Sequence, residues 1–211
     1  MQSDGIVLYR ALASRAIAPL WMLEELGLAY RSVMVDLRSP ERPAELLAVN
    51  RSGRTPLLVD GAVVVSEMPA ICIYLADKYG YGTLAPTMED ERRGPYLKWM
   101  VYSTAVLEPA RETQVSTIVP PKHGYGVGWP SFDVVVDELV HALDRTDFIV
   151  GETFTAADVM LGAMISISLY CQMIPREPAL VSYAERVMDR PAYERAASLN
   201  WPADLFARKD T

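Results

Sequence analysis

Two cysteines and two histidines are all that the 211 residues contain. Cys72 and Cys171 stand far apart and form no CxxC pair, so the sequence offers neither a disulfide framework nor a dithiol redox centre, and the expected compartment is the cytosol. His123 and His141 are equally isolated, with no acidic ligand spacing around them, which leaves a metal site without support. An excess of positive charge is missing too. Lys and Arg number 20 against 27 Asp and Glu, the net charge is −7, and the basic residues are scattered. Electrostatic attraction to a phosphate backbone or to anionic lipid is therefore excluded, and nucleic acid is not an expected partner. No apolar stretch approaches about 18 residues without charge or proline, which argues against a membrane span. The opening MQSDGIVLYR lacks the basic segment, apolar run and small-residue cleavage site of a secretory leader. There is no glycine-rich phosphate loop, no G-x-S-x-G elbow, no internal repeat and no low-complexity tract.

What is present is an ordinary globular composition, 51 % hydrophobic and 22 % charged, in a chain long enough for one large domain or two small ones. Ile6–Tyr9 is a short apolar run, followed by Ile17, Leu20, Trp21, Leu23 and Leu26 near helical spacing, with Gly27 as a stop. Tyr30–Leu37 alternates, Val33, Val35 and Leu37 against Ser32, Met34 and Asp36. The opening therefore reads β-α-β. After a polar loop containing Pro40, Pro43, Ser52 and Gly53 come Leu57–Val59 and Ala62–Val65, parted by Asp60-Gly61, a strong hairpin signal that places positive φ at both turn residues. Pro69 suits the first turn of a helix that runs on through Ala70–Tyr79. Beyond a Gly- and Pro-bearing stretch that reads as a linker, the period is helical: Glu91–Thr113, Phe132–Leu143, Thr155–Tyr170, Ala179–Asp189 and Ala192–Leu199. The Pro- and Gly-rich 120–129 segment between the first two reads as a loop.

LYRALASRAIAPLWMLEELG over residues 8–27 and NRSGRTPLLVDGAVVVSEMPAICIYL over residues 50–75 are similar to the first strand-helix unit and the hairpin-helix unit of the glutathione transferase superfamily. The resemblance is to bacterial-type members with Ser rather than Cys at the thiol site. It implies an α/β plus all-α protein: a thioredoxin-like, glutathione-binding N-terminal domain (βαβ-ββα) over 1–80, a linker over 81–90, and an all-helical domain over 91–211 that contributes the hydrophobic substrate site. Phe154-Thr155-Ala156-Ala157-Asp158-Val159 resembles the family's helix-capping motif, and the residues themselves read as a capping box with a Phe154/Val159 staple, a structural element.

Glutathione chemistry needs a thiolate, and a protein favours it by aiming hydrogen-bond donors and a helix N-terminus at the sulfur. Ser14, at the expected start of the first helix, is the first candidate, and a plain N-cap is its structural alternative. Tyr9 is the second, with packing in a half-buried strand as its alternative. The resemblance implies a cis Thr55-Pro56 bond that lets the Thr55 backbone pair with the cysteinyl part of glutathione. It also implies that Glu67 holds the γ-glutamyl end. Met68 stands where the family has a serine; a thioether cannot donate, but the Met68 backbone N–H at a helix N-terminus can still meet a carboxylate. Arg54, and behind it Arg15 and Arg51, could supply charge, or could be solvated surface. For a small hydrophobic substrate the family uses a cleft lined by the first long C-terminal helix, here bearing Tyr96, Trp99, Met100, Tyr102, Ser103 and Val106. The same residues could equally form domain core or a dimer contact. The 120–129 loop could cover that cleft as a lid.

Three functions fit this reading. One is a transferase that activates glutathione, its co-substrate, for attack on an electrophile. The second is a glutathione-dependent isomerase or lyase on the same fold. The third is a non-catalytic binding protein. The resemblance also implies a homodimer.

Overall fold

The computed structural model describes residues 5–115 and 127–201. In chain order the elements are β1 (Ile6–Arg10), α1 (Ile17–Glu25), β2 (Tyr30–Met34), α2 (Ala44–Val49), β3 (Leu57–Asp60), β4 (Val63–Ser66), α3 (Met68–Tyr79), α4 (Arg93–Tyr102), a π-helical segment (Ser103–Leu107), α5 (Glu108–Val115), α6 (Phe132–Leu143), α7 (Ala156–Tyr170), α8 (Pro178–Met188) and α9 (Pro191–Asn200). Two compact units result: one takes the residues up to Gly80 together with those from Arg190 onward, the other takes Tyr81–Asp189.

The first unit is a four-stranded sheet in the order β2-β1-β3-β4. β1 and β2 run parallel, which requires a crossover, and α1 supplies it. β1 pairs antiparallel with β3, and β3 with β4. On one face of the sheet Val7 and Tyr9 pack with Val35, Leu46 and Leu57. Leu46 belongs to α2, a helix inside the stretch expected to be polar loop; its six residues carry one buried apolar side chain, too little to register as a period. α1 is buried from Ile17 through Leu23, with α3 and α9 packed against it. The hairpin forms as expected but its turn is shifted by one residue. Asp60 still pairs with Val63, and only Gly61 of the two loop residues has positive φ, at 60°, the pattern of a II′ turn.

Asp60 gains a second use from that register. Its Oδ2 accepts from Lys78 Nζ at 2.6 Å, Tyr79 OH at 2.6 Å and Tyr74 OH at 2.9 Å, fastening the hairpin to α3. Burial works upward on this carboxyl, but the three donors outweigh it and hold the group below its ordinary value.

α9 lies in the sheet unit, although its sequence position suggested the helical domain. Arg190, at its N-cap position, makes a bidentate pair with Glu25 at 2.6 and 2.8 Å, Arg195 meets Glu24 at 2.6 Å, and the Tyr193 ring packs edge-on against Trp21 at 4.8 Å.

In the helical unit, α4, the π segment and α5 replace the single helix expected over Glu91–Thr113. The Glu108 N–H bonds Ser103 O, a five-residue step, and Pro109 follows at once. Its missing N–H and its ring deny the regular ladder a bond to residue 105, and the wider turn accommodates that. α7 is buried nearly all round, the signature of a central helix. Thr155 caps it: its Oγ1 accepts from Ala157 N at 3.3 Å, and Asp158 closes the capping box. Asp158 is fully buried. Its two oxygens accept from Thr155 N and Ile149 N, each at 2.8 Å, from Tyr183 OH at 2.9 Å and from Thr155 Oγ1 at 3.1 Å. The 120–129 loop, His123 included, lies outside the described residues apart from 127–129. Among the described residues no helix is long and apolar enough to cross a membrane.

Replacing Asp158 by Ala strands several buried donors. Each costs about 1–3 kcal/mol, so an overall loss of about 3 kcal/mol or more is expected in urea denaturation; a loss below about 1 kcal/mol would contradict the structural role. For Asp60 the folded-state pKa is depressed, so its stabilising contribution is complete above the unfolded carboxylate pKa of about 4 and disappears as pH falls through the folded value. Asp60→Asn is expected to flatten the acid limb of the stability profile below about pH 4. An unchanged acid limb would mean that the cluster contributes nothing to folding.

Candidate functional site

The strand register brings three separated segments to one end of the sheet. Tyr9, next to last in β1, pairs with Leu57, the first residue of β3. Leu57 in turn pairs with Ser66, the last residue of β4. The chain leaving β1 (Ala11–Ala16), the chain entering β3 (Thr55-Pro56) and the start of α3 (Glu67-Met68) therefore share that end. The Thr55-Pro56 bond is cis. Thr55 lies two residues ahead of the last registered pair, so its backbone edge falls outside the ladder.

The Ala11–Ala16 segment is not a simple helix start. α1 begins at Ile17, its N-cap position is Ala16, and no side chain caps it. Ser14 sits earlier and is half-buried. Its Oγ donates to Ala11 O at 2.7 Å and accepts from Ala16 N at 3.2 Å, which is a local serine turn rather than the N-cap expected as its alternative. Ala13 adopts φ 48°, the left-handed region that a β-carbon disfavours. Tyr9 is 5 % exposed and belongs to the core cluster, so the packing alternative describes its ring.

At the other segment, Glu67 is exposed, serves as the N-cap position of α3 and has φ 69°. A non-glycine residue there is strained by about 1–3 kcal/mol, and such strain gathers at ligand sites. Met68 is 3 % exposed: its thioether packs inward, leaving its backbone N–H at the positive end of a twelve-residue helix as the group it can offer. Arg15, Arg51 and Arg54 are exposed. Sequence reasoning missed Arg10, which is 7 % exposed and donates to Ser32 Oγ at 2.6 Å and Leu199 O at 2.7 Å. An arginine closing an apolar strand was the available signal, since a buried charge requires partners. It also missed Asn200, whose Nδ2 donates to Ser14 O at 3.1 Å; 186 residues separate the two, and nothing local in the sequence marks the pair.

An anion-receptive helix end beside a cis-proline edge and a serine turn is an arrangement that the comparisons with known proteins match. The family model for the glutathione S-transferase N-terminal domain matches residues 15–78, which span two of the three segments. A sphingomonad glutathione S-transferase, solved in complex with glutathione, superimposes with a TM-score of 0.75 at 27 % identity, over 92 % of this chain and 98 % of that one. Together these matches support the glutathione S-transferase superfamily for this chain. Relatives within it include a glutathione S-transferase of Arabidopsis thaliana, 28 % identical over 73 % of this chain and 76 % of that protein. Another is glutathione S-transferase 3 of Zea mays, 27 % identical over 89 % and 90 %.

Against that family background, the residues expected to line a hydrophobic substrate site are divided unequally between surface and interior. Tyr96, Met100 and Ser103 are fully buried, and Trp99 and Tyr102 are 5 % exposed; Val106 is half-buried. The Trp99 and Tyr102 rings pack at a tilt of 59° with centroids 4.8 Å apart, and Lys98 Nζ lies 4.0 Å from the Trp99 centroid. The Tyr102 hydroxyl donates to Glu138 at 2.8 Å; burial first, and then that carboxylate, push its phenol pKa up. This is how a domain core is built, which was the structural alternative for these positions. A separate cleft of about 360 Å³ lies along α6, lined by Phe132, Val136 and Val140 with Asp133, Asp137 and Glu177 around it. Three carboxylates make it a poor receptor for an anionic tripeptide.

Met68→Ala is expected to destabilise the protein by about 2–5 kcal/mol in urea denaturation, the cost of emptying a buried methionine site. A loss under about 0.5 kcal/mol would show that the side chain is free to face a ligand.

Proposed function

We propose that the chain is a glutathione transferase that lowers the thiol pKa of bound glutathione and directs the thiolate at a small hydrophobic electrophile. The observation that carries this reading is the register: the serine turn, the cis-proline edge and the α3 N-terminus meet at one end of one sheet.

In this reading the Thr55 backbone, held beside Pro56, pairs with the cysteinyl residue. The exposed Glu67 carboxylate takes the γ-glutamyl ammonium, and the Met68 N–H takes its α-carboxylate. Arg54 adds positive charge at the entrance. The Ser14 hydroxyl, which here donates to Ala11 O, rotates to donate to sulfur once the thiol has released its proton to solvent. The thiolate then attacks the electrophilic carbon, forming the C–S bond, while the displaced pair leaves with the departing group or takes a proton in an addition. Residues 1–80 are the glutathione-binding part, 81–90 the linker, and the helical residues beyond it supply the hydrophobic surface. The working form is a homodimer in the cytosol, serving detoxification.

A second reading, a binding protein without thiol activation, is favoured by one observation: the Ser14 proton already has an acceptor in Ala11 O. One experiment separates the two. Under the transferase reading, Ser14→Ala raises the pKa of enzyme-bound glutathione, followed by its ultraviolet thiolate absorbance, by about one to two units, the size of a hydrogen bond to a charged group. Binding with an unshifted thiol pKa in both proteins would support the second reading instead.

A further inference from the structure

α9 ends where the Ser14 segment begins. Three hydrogen bonds join them: Arg10 Nη1 to Leu199 O at 2.7 Å, Ala13 N to Asn200 O at 2.7 Å, and Asn200 Nδ2 to Ser14 O at 3.1 Å. Two of these satisfy carbonyls in the last turn of α9, which have no partner within the helix. The arginine also sets a positive charge at the negative end of the helix. The first half of α9 and its N-cap position are fixed to α1 by the Arg195–Glu24 and Arg190–Glu25 pairs. The helix is thus a strut, held through its first half by ion pairs and holding the candidate site at its last turn.

Within that joint the Asn200 side chain is distinctive. It is fully buried, and its Oδ1 has no hydrogen-bond partner among the described residues. As packing, a buried amide with an unpaired oxygen is inferior to a leucine of similar volume. The property that sets asparagine apart here is the single N–H that reaches the Ser14 carbonyl. That bond acts on a segment in need of restraint, since Ala13 next to it holds φ 48°, a conformation an alanine leaves readily unless tied.

We propose that Asn200 is a positioning residue for Ser14: its amide fixes the Ser14 peptide, and through it the direction in which the Ser14 hydroxyl can turn from Ala11 O toward a bound thiolate. The inference rests on the reading of Ser14 given above. The charged side chains at this junction are Arg10, engaged with Leu199 O and Ser32, and the exposed Arg15; the proposed variants alter neither.

The test uses the full chain with glutathione and reads the bound-thiol pKa together with the melting temperature. Asn200→Leu keeps the volume, removes the donor and removes the unpaired oxygen. It is expected to melt no lower than the parent while raising the bound-thiol pKa by about half a unit, roughly three-fold less thiolate below that pKa. In a Ser14→Ala background the same substitution is expected to add no further shift. Arg195→Gln, which loosens the first half of α9 from α1, is expected to lower the melting temperature without moving the thiol pKa. A shift from Ser14→Ala but none from Asn200→Leu overturns the role of Asn200 and leaves that of Ser14 standing. An equal shift from Asn200→Leu in both backgrounds, or an equal shift from Arg195→Gln, also overturns it, the first by bypassing Ser14 and the second by reducing Asn200 to general docking. No shift from Ser14→Ala removes both assignments. If Asn200→Leu does not fold, Asn200→Ala carries the same expectations for the thiol.

Discussion

The antiparallel pairing of β1 with β3 is the constraint on which the site depends. Tyr9 faces Leu57 and Leu57 faces Ser66, so the chain leaving β1, the chain entering β3 and the chain leaving β4 come to one edge with no further device. A shift of one residue would exchange the faces of the strand that slips. In β1 it would take Val7 and Tyr9 out of the cluster that they form with Leu46 and Leu57 and put Ile6, Leu8 and the hydrogen-bonded Arg10 in their place. β1 is buried along its whole length, so the cost is that of misfitting a packed core, typically about 1–3 kcal/mol. Burial thus fixes the register, and the register fixes the site. The core does not touch a ligand, yet it decides which backbone groups can.

For a protein of net charge −7, the proposed reception of an anionic tripeptide has to be local. The start of α3 provides the means: an N-terminus of twelve helical residues with Glu67 strained at its cap and Met68 turned inward. A serine side chain at position 68 would offer a hydroxyl. A buried methionine offers packing instead, and in the proposed reading recognition falls to the peptide N–H and the helix end. The chain leaving β1 is held by a different means, since Ser14 lies ahead of α1 and draws its local order from Ala11 O, Ala16 N and the end of α9.

The order of elements was legible in the sequence wherever a period or a turn signal persisted: the βαβ opening, the Asp60-Gly61 hairpin, Pro69 at the head of α3, and the Thr155/Asp158 cap. What escaped was short, interrupted or remote. α2 presents one buried leucine, and Pro109 converts an expected helix into two with a π turn between them. α9 carries no mark of its attachment to α1, because the pairs of Arg190 and Arg195 with Glu25 and Glu24 span 165 and 171 residues. The site divides in the same way. Ser14, Thr55, Pro56, Glu67 and Met68 could be named from motif resemblance. The inward turn of Met68 and the packing of Tyr9 and Trp99 depend on neighbours that only the folded chain supplies, as does the clasp of Asn200 on Ser14.

The central claim is that one end of the sheet forms the receptor for glutathione, and amide chemical-shift mapping of the isotopically labelled chain during a glutathione titration tests it most directly. The account predicts saturable shifts concentrated in the amides of residues 11–16, Thr55, Leu57 and Met68, with the α6 cleft around Asp133 and Asp137 unmoved. Shifts confined to that cleft, or none at millimolar glutathione, would contradict it.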